Sequence, residues 1–219
     1  MSNELCDRIV EAALRLAADR PWPDVSLADI AEASGVSLAE LAGHVSGKPQ
    51  ILEAFARRMD SQLLASLASD PVEGDAHDRL FDIMLRRFEM LAPHKAAIAN
   101  IAKTPADGPA EWLHLLASSL VTQGWMLAAA DIRLKGLTGD VAKLGLAKIA
   151  VDTLHVWLKD DDAGLARTMA ALDRKLRDGE ALMKRLETPI ALCSGFARVF
   201  RSLREDRTSA RAQAHDTAD

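Results

Sequence analysis

SLADIAEASGVSLAELAGHV, residues 26–45, decides the fold. Ser26 with Asp29 and Ser37 with Glu40 each fit the S-x-x-D/E capping box. In that box the serine oxygen accepts from the third helical N–H, and the carboxylate accepts from the N–H of the cap residue. Leu27, Ile30 and Ala31 form one apolar side at helical spacing; Leu38, Leu41, Ala42 and Val45 form another. Gly35 stands where the chain leaves the first helix, a place that often requires positive φ. Two short capped helices around a tight glycine turn are the sequence form of a helix-turn-helix.

The flanks agree with this reading. Upstream, residues 4–19 carry Leu5, Ile9, Ala12, Ala13 and Leu16 on one side of a predicted helix. Pro21-Trp22-Pro23 ends it, because neither proline can continue a helix. Downstream a helix begins near Pro49, a residue tolerated in a first turn, and Ile51, Leu52, Phe55 and Met59 form its buried stripe.

Residues 9–55, IVEAALRLAADRPWPDVSLADIAEASGVSLAELAGHVSGKPQILEAF, resemble the N-terminal domain of TetR-type transcriptional regulators. The resemblance covers about a fifth of the chain. It implies an all-α, TetR-type architecture: a three-helix helix-turn-helix head on a larger helical ligand-binding and dimerisation body. It also implies a homodimer that binds operator DNA and releases it when a small molecule enters the C-terminal core. The DNA-contacting positions it implies are Ser26, Ser37, Leu38, Ala39, Glu40, His44 and Lys48.

The recognition segment departs from the family's usual pattern of a small or basic residue, a Thr and a Tyr. Leu38, Glu40 and Ala42 stand there instead, and the chain contains no Tyr. His44 and Lys48 keep the family's residue types and can meet phosphates. Residues 26–48 hold one Lys against Asp29, Glu32 and Glu40, a net of −2. Residues 1–60 hold six Lys and Arg against ten Asp and Glu, a net of −4. Phosphate neutralisation by Lys and Arg supplies most non-specific DNA affinity, and base reading leans on Arg, Lys, Asn and Gln. Glu40 either completes its capping box or faces the nucleic acid, where it accepts from cytosine or opposes phosphate.

Composition bounds the rest. A chain of 219 residues with 49% hydrophobic content can bury a sizeable core. Abundant Ala and Leu with few aromatics favour helices throughout. A net charge of −5 carries no global nucleic-acid signature. Cys6 and Cys193 lie far apart in no motif, which suggests a reducing compartment. No secretory signal or membrane-length apolar run is visible, so a soluble cytoplasmic protein is expected. There is no H-E-x-x-H, C-x-x-C, G-x-S-x-G or glycine-rich phosphate loop, and the six histidines are scattered. The reading is therefore of a protein that is not an enzyme, with no metal and no cofactor.

The body divides by its punctuation. A helix ends near Ala68, and residues 70–75 form a polar loop. Residues 77–91 read as an amphipathic helix that buries Leu80, Phe81, Met84, Leu85, Phe88 and Leu91 and turns Arg86, Arg87 and Glu89 outward. Pro93 breaks it, a shorter helix covers 94–103, and a loop covers 104–109. Residues 110–130 are apolar on all sides, which predicts a central helix. Helices at 140–159 and 163–186 flank the acidic bend Lys159-Asp160-Asp161-Asp162.

A pocket for a small apolar ligand or lipid is expected among the helices at 77–91, 110–130 and 140–159. Met84, Phe88, Trp112, Trp125 and Met126 would line it, with His114, Gln123 and His155 as polar anchors. By resemblance to the family, the two helices after 140 form the dimer surface, with Leu144, Ile149, Val151, Leu154 and Trp157 as its apolar candidates.

A second resemblance concerns residues 144–176, which are similar to the C-terminal region of lipid-binding accessory proteins of ubiquinone biosynthesis. It rests on Thr153, Asp160 to Asp162, Thr168 and Leu172-Asp173-Arg174. It implies the alternative of a DNA-independent protein that binds isoprenoid lipid. Thr188-Pro189 then opens a predicted amphipathic helix over 188–204. Ile190, Cys193, Phe196, Val199, Phe200 and Leu203 share one side, and Arg198, Arg201 and Arg204 flank it with no acid in the segment. Such a helix suits peripheral contact with an anionic membrane surface. The expected organisation is a head at 1–48, a ligand-binding and dimerisation domain at 49–187, the amphipathic helix at 188–204 and a disordered tail at 205–219.

Overall fold

The computed structural model describes residues 2–104 and 108–185, apart from the side chains of 2, 3 and 109–112. Both capping boxes form. Ser26 Oγ accepts from the Asp29 N–H at 3.1 Å and Asp29 accepts from the Ser26 N–H at 2.9 Å, which opens α2, Leu27–Ser34. Ser37 Oγ accepts from the Glu40 N–H at 3.1 Å and Glu40 accepts from the Ser37 N–H at 2.8 Å, which opens α3, Leu38–Ala42. Between them Gly35 takes φ +67°, the left-handed conformation that closes a helix without a Cβ penalty. The upstream helix α1, Ser2–Asp19, holds this turn from below. Arg8 donates to the Ser34 carbonyl and Arg15 to the Ala33 carbonyl at 3.0 Å, so the orphan end of α2 is satisfied by α1. Ile9, Val10, Ala13, Leu14 and Ala17 of α1 pack with Ile30, Ala31 and Leu41.

The next helix, α4, is a single rod over Lys48–Ser69. Ile51, Phe55 and Met59 belong to the head's core, whereas Leu63 belongs to a second core in the body. The body adds α5 (Ala76–Leu91), α6 (Lys95–Ala102), α7 (Pro109–Ala129), α8 (Gly136–Trp157) and α9 (166–185). The described residues are helical with no strands. The two cores are not divided at residue 48: Phe88, Leu91, Ala97 and Trp157 complete the head's cluster from the body side. Asn100 donates to the Ala17 carbonyl at 2.9 Å and ties α6 to the end of α1.

Two body residues and one body helix differ from their sequence reading. Arg87, expected to face solvent, is half-buried, with its guanidinium against the buried Asp60 of α4. The Thr122 hydroxyl of α7 donates to the other Asp60 oxygen at 2.7 Å, so three helices meet at one polar node. The periodicity of α5 cannot show this, because α4 and α7 cover the side that Arg87 occupies. Trp157, expected on the dimer surface, is fully buried. Phe88 lies 5.8 Å from its ring and the Lys95 ammonium 5.4 Å above it. Finally, α7 is not central all round, because Leu113, Val121 and Trp125, eight and four residues apart, project as an exposed stripe.

The acidic bend proves to be a cap. Asp160 is buried and accepts from the Thr168 N–H at 2.8 Å and from its hydroxyl at 2.7 Å, which fixes the start of α9. The Thr168 hydroxyl bond foremost holds the Asp160 carboxyl below the usual carboxylate range. Lys95 donates to the Asp160 carbonyl at 2.6 Å.

Candidate functional site: the recognition helix and the body cleft

The recognition helix α3 carries no Lys or Arg. Leu38 is 56% exposed, and Ala39, Ala42 and His44 are exposed beside it. Glu40 is engaged by its own cap: the Ser37 N–H foremost, then its hydroxyl, keep the carboxyl ionised below its ordinary range. His44 Nδ1 pairs with the Glu40 carbonyl at 2.9 Å, so Nδ1 carries the proton and Nε2 is the ring atom left for another partner. Lys48 is not directed at a phosphate. Its ammonium donates to the Trp22 and Val25 carbonyls at 2.9 and 3.1 Å and lies 4.8 Å over the Trp22 ring.

The other five cations of the first sixty residues are likewise engaged. Arg8 and Arg15 hold carbonyls of α2, Arg20 pairs with Asp29 at 2.8 Å, and Arg57 pairs with Glu53 at 3.3 Å. Arg58 reaches Glu11 at 2.6 Å and Asp7 at 3.7 Å. What α3 offers a groove is therefore apolar contact, which suits a thymine methyl, together with the Ser26 and Ser37 positions and His44.

The residues expected to line a pocket do not converge. Met84 and Met126 are packed in the second core, Phe88 is in the first, and Gln123 is buried. Trp125 is 51% exposed and His155 is exposed. Trp112 belongs to α7, but its side chain lies outside the described residues. His114, also expected as an anchor, sits 3.0 Å from Glu53 of α4.

A cleft of about 690 Å³ lies elsewhere, at the end of the body away from the head. The start of α5, the end of α7, the first part of α8 and the second half of α9 enclose it. Leu80, Leu127, Ile132, Leu146, Ile149 and Leu176 give it apolar walls. None of the expected pocket residues whose side chains are described lines it. His77 bridges its α5–α9 side, with Nδ1 2.7 Å from Glu180 and Nε2 3.1 Å from Asp173. Burial opposes charge on that ring, but the hydrogen bonds and charges of Glu180 and Asp173 outweigh it and raise the His77 pKa. On the α8–α9 side Asp152 accepts from Lys148 and Lys175, both at 2.9 Å. Those two hydrogen bonds foremost pull its pKa down to about 2. Sequence reasoning missed this cleft because its walls are brought together only by folding; His77 and Glu180 are 103 residues apart. Ile190, Phe196, Arg198, Phe200, Arg201 and Arg204, expected to form a membrane or partner helix, lie outside the described residues.

Residues 9–55 match the family model of the bacterial regulatory proteins, tetR family. No curated protein matches the chain. Among solved structures, a TetR transcriptional regulator from Nitrosomonas europaea ATCC 19718 is 24% identical with a TM-score of 0.65, covering 81% of this chain and 98% of its own. A TetR transcriptional regulator from Rhodococcus sp. RHA1 is 16% identical with a TM-score of 0.64, covering 81% and 95%. A tetR-family regulator from Streptomyces coelicolor is 21% identical with a TM-score of 0.55 and covers 86% of each chain. Residues 9–55 are thus a TetR-type N-terminal domain, and the chain has the fold of TetR-family regulators.

Proposed function

We propose that a chain with this TetR-type head is a ligand-responsive transcriptional regulator: a cytoplasmic homodimer that binds operator DNA and whose body takes a small apolar effector. The observation that carries the reading is the intact helix-turn-helix at Ser26–Val45, with both capping boxes made and Gly35 in the left-handed turn. Supporting a dimer, Leu137, Leu144 and Val151 project from α8 at seven-residue steps, with Met169 and Leu182 exposed on α9. Supporting a coupling, α4 runs unbroken from the head into the core that walls the cleft. An occupant wedged between α5 and α8 loads that core, and a change in the angle of α4 moves the head bodily.

The committed cations set how the head would hold DNA. With no Lys or Arg on the recognition helix itself, few phosphates are neutralised. The log–log salt slope of binding should then be roughly −2 for a dimer, far below that of a strongly basic repressor. The test is a fluorescence-anisotropy titration against fragments of the protein's own upstream region at low and moderate salt. No shift on any fragment at low salt sinks the regulator reading.

The DNA-independent reading is favoured by one observation, the engagement of Lys48, Arg8, Arg15, Arg20 and Arg58 within the protein, which leaves Arg57, in an exposed pair with Glu53, as the most accessible cation of the first sixty residues. The ubiquinone-family alternative gains no support from the matches. Asp160 and Thr168, which carried it, act as a helix cap here, and Asp173 is paired with Arg177 and His77.

A further inference from the structure

We infer that the body cleft is a site for a singly charged anionic amphiphile, its apolar tail against the Leu and Ile walls and its carboxylate against Lys148 and Lys175. This rests on the reading of the cleft as the effector site and specifies what enters it. The volume, about 690 Å³, is within the range of sites that enclose small molecules.

The sign of the head group follows from how the lining charges are paired. His77 and Arg177 face Asp173 and Glu180, two cations against two carboxylates when the imidazole is protonated. Asp75 caps α5 through the Asp78 N–H at 3.0 Å. Lys184 and Asp178 oppose each other in sign. Lys148 and Lys175, by contrast, share a single oxygen of Asp152, so this corner of the cleft holds one ammonium in excess, while the ionised Asp75 carboxylate stands on the α5 side. An incoming carboxylate turns two ammonium groups on one anion into two on two. The Lys148 side chain is mostly exposed and free to turn toward it. The other apolar candidate for the cleft is the chain's own segment 188–204, but Arg198, Arg201 and Arg204 give it the wrong sign for this surplus.

Isothermal titration calorimetry of the full chain, without DNA, tests the inference with decanoate, decanol and decyltrimethylammonium, each below its micellar concentration. Decanoate should bind at least about tenfold tighter than decanol, and the cation most weakly. Lys148→Met with Lys175→Met should reverse that order, because Asp152 is then unopposed. Asp152→Asn should tighten decanoate severalfold, a direction that loss of folding cannot produce. Equal or tighter binding of the alcohol or the cation overturns the inference, as does weaker decanoate binding by Asp152→Asn. Leu146→Trp, checked for helicity by circular dichroism, fills the wall and should abolish binding; unchanged affinity places the ligand elsewhere and overturns it too. If Phe196→Ser with Phe200→Ser raises decanoate affinity about tenfold, the cleft's native occupant is the chain's own tail and the inference fails. Absent decanoate binding leaves the DNA titration standing, and an absent DNA shift leaves this binding standing, so the two failures are distinct.

Discussion

Arg87→Met tests whether the polar node between α4, α5 and α7 holds the head's lever to the body. The side chains of Asp60 and Arg87 are 7% and 18% exposed, so solvent screens the pair little. Removing the guanidinium leaves a buried carboxylate with Thr122 as its remaining donor. Breaking one side of such a pair costs about 3–5 kcal/mol, because a buried charge stays uncompensated. At about 2–4 °C per kcal/mol for a chain of this length, the thermal midpoint should fall by roughly 10 °C. Replacing both partners, Asp60→Leu with Arg87→Met, removes both charges and leaves only the Thr122 hydroxyl unpaired. The double variant should therefore be more stable than the single one, within about 1–2 kcal/mol of the wild type. Urea unfolding followed by far-UV circular dichroism measures this, at one fixed protomer concentration because dimerisation is linked to folding. A loss under about 1 kcal/mol for Arg87→Met, the size of a solvent-screened pair, refutes the reasoning. So does a double variant whose cost equals the sum of the single variants' costs, because the partners then do not couple.

Ser37→Ala removes the acceptor for the Glu40 N–H and should cost about 1 kcal/mol in the same assay; an unchanged midpoint shows that the α3 cap is idle. His77 has a folded pKa raised above the ordinary 6.5, so the stability it adds is complete below that value and is lost as pH rises through the folded pKa. Thermal unfolding of wild type and His77→Asn should accordingly converge on going from acidic to alkaline pH, and a gap that widens contradicts the α5–α9 clamp. Leu144→Glu with Val151→Glu places carboxylates on the exposed stripe of α8 and should convert a dimer to a monomer in light scattering. An unchanged dimeric mass moves the interface elsewhere.

The parts of this protein that were legible in sequence are those governed by short separations. A capping box joins residues three apart, and Ser26, Asp29, Ser37 and Glu40 pair as their spacing requires. The same holds for Gly35 and for the proline that ends α5. Helix ends drifted by a few residues: α8 begins at Gly136 rather than near 140. There Gly139 packs so close to the Leu134 carbonyl that a Cβ would stand 2.9 Å from its oxygen, so that glycine lets the preceding loop close on the start of α8.

Charge was the hardest property to read along the chain. Counting showed that the head is acidic, but not that Lys48 and Arg8 are already bonded to main-chain carbonyls. Nor could counting distinguish Arg87, whose partner Asp60 is buried, from Arg86, whose partner Asp70, at 2.8 Å, is exposed. Both arginines sit on the less apolar side of the same helix, and the difference lies in which neighbour covers that side.

By itself, the sequence determined the helix-turn-helix, the helical class and the body's division into helices, because capping, turn chemistry and apolar periodicity act within a few residues. Tertiary structure alone decided that Trp157 is core, that Trp125 and His155 face solvent, and that the cleft lies between α5, α8 and α9. Those outcomes depend on which helices are neighbours, and contacts between residues a hundred positions apart leave no local periodicity to read. The recognition helix joins the two levels. Its frame and its lack of Lys and Arg are local and were read directly, whereas the engagement of the cations around it emerged only when each could be followed to its partner.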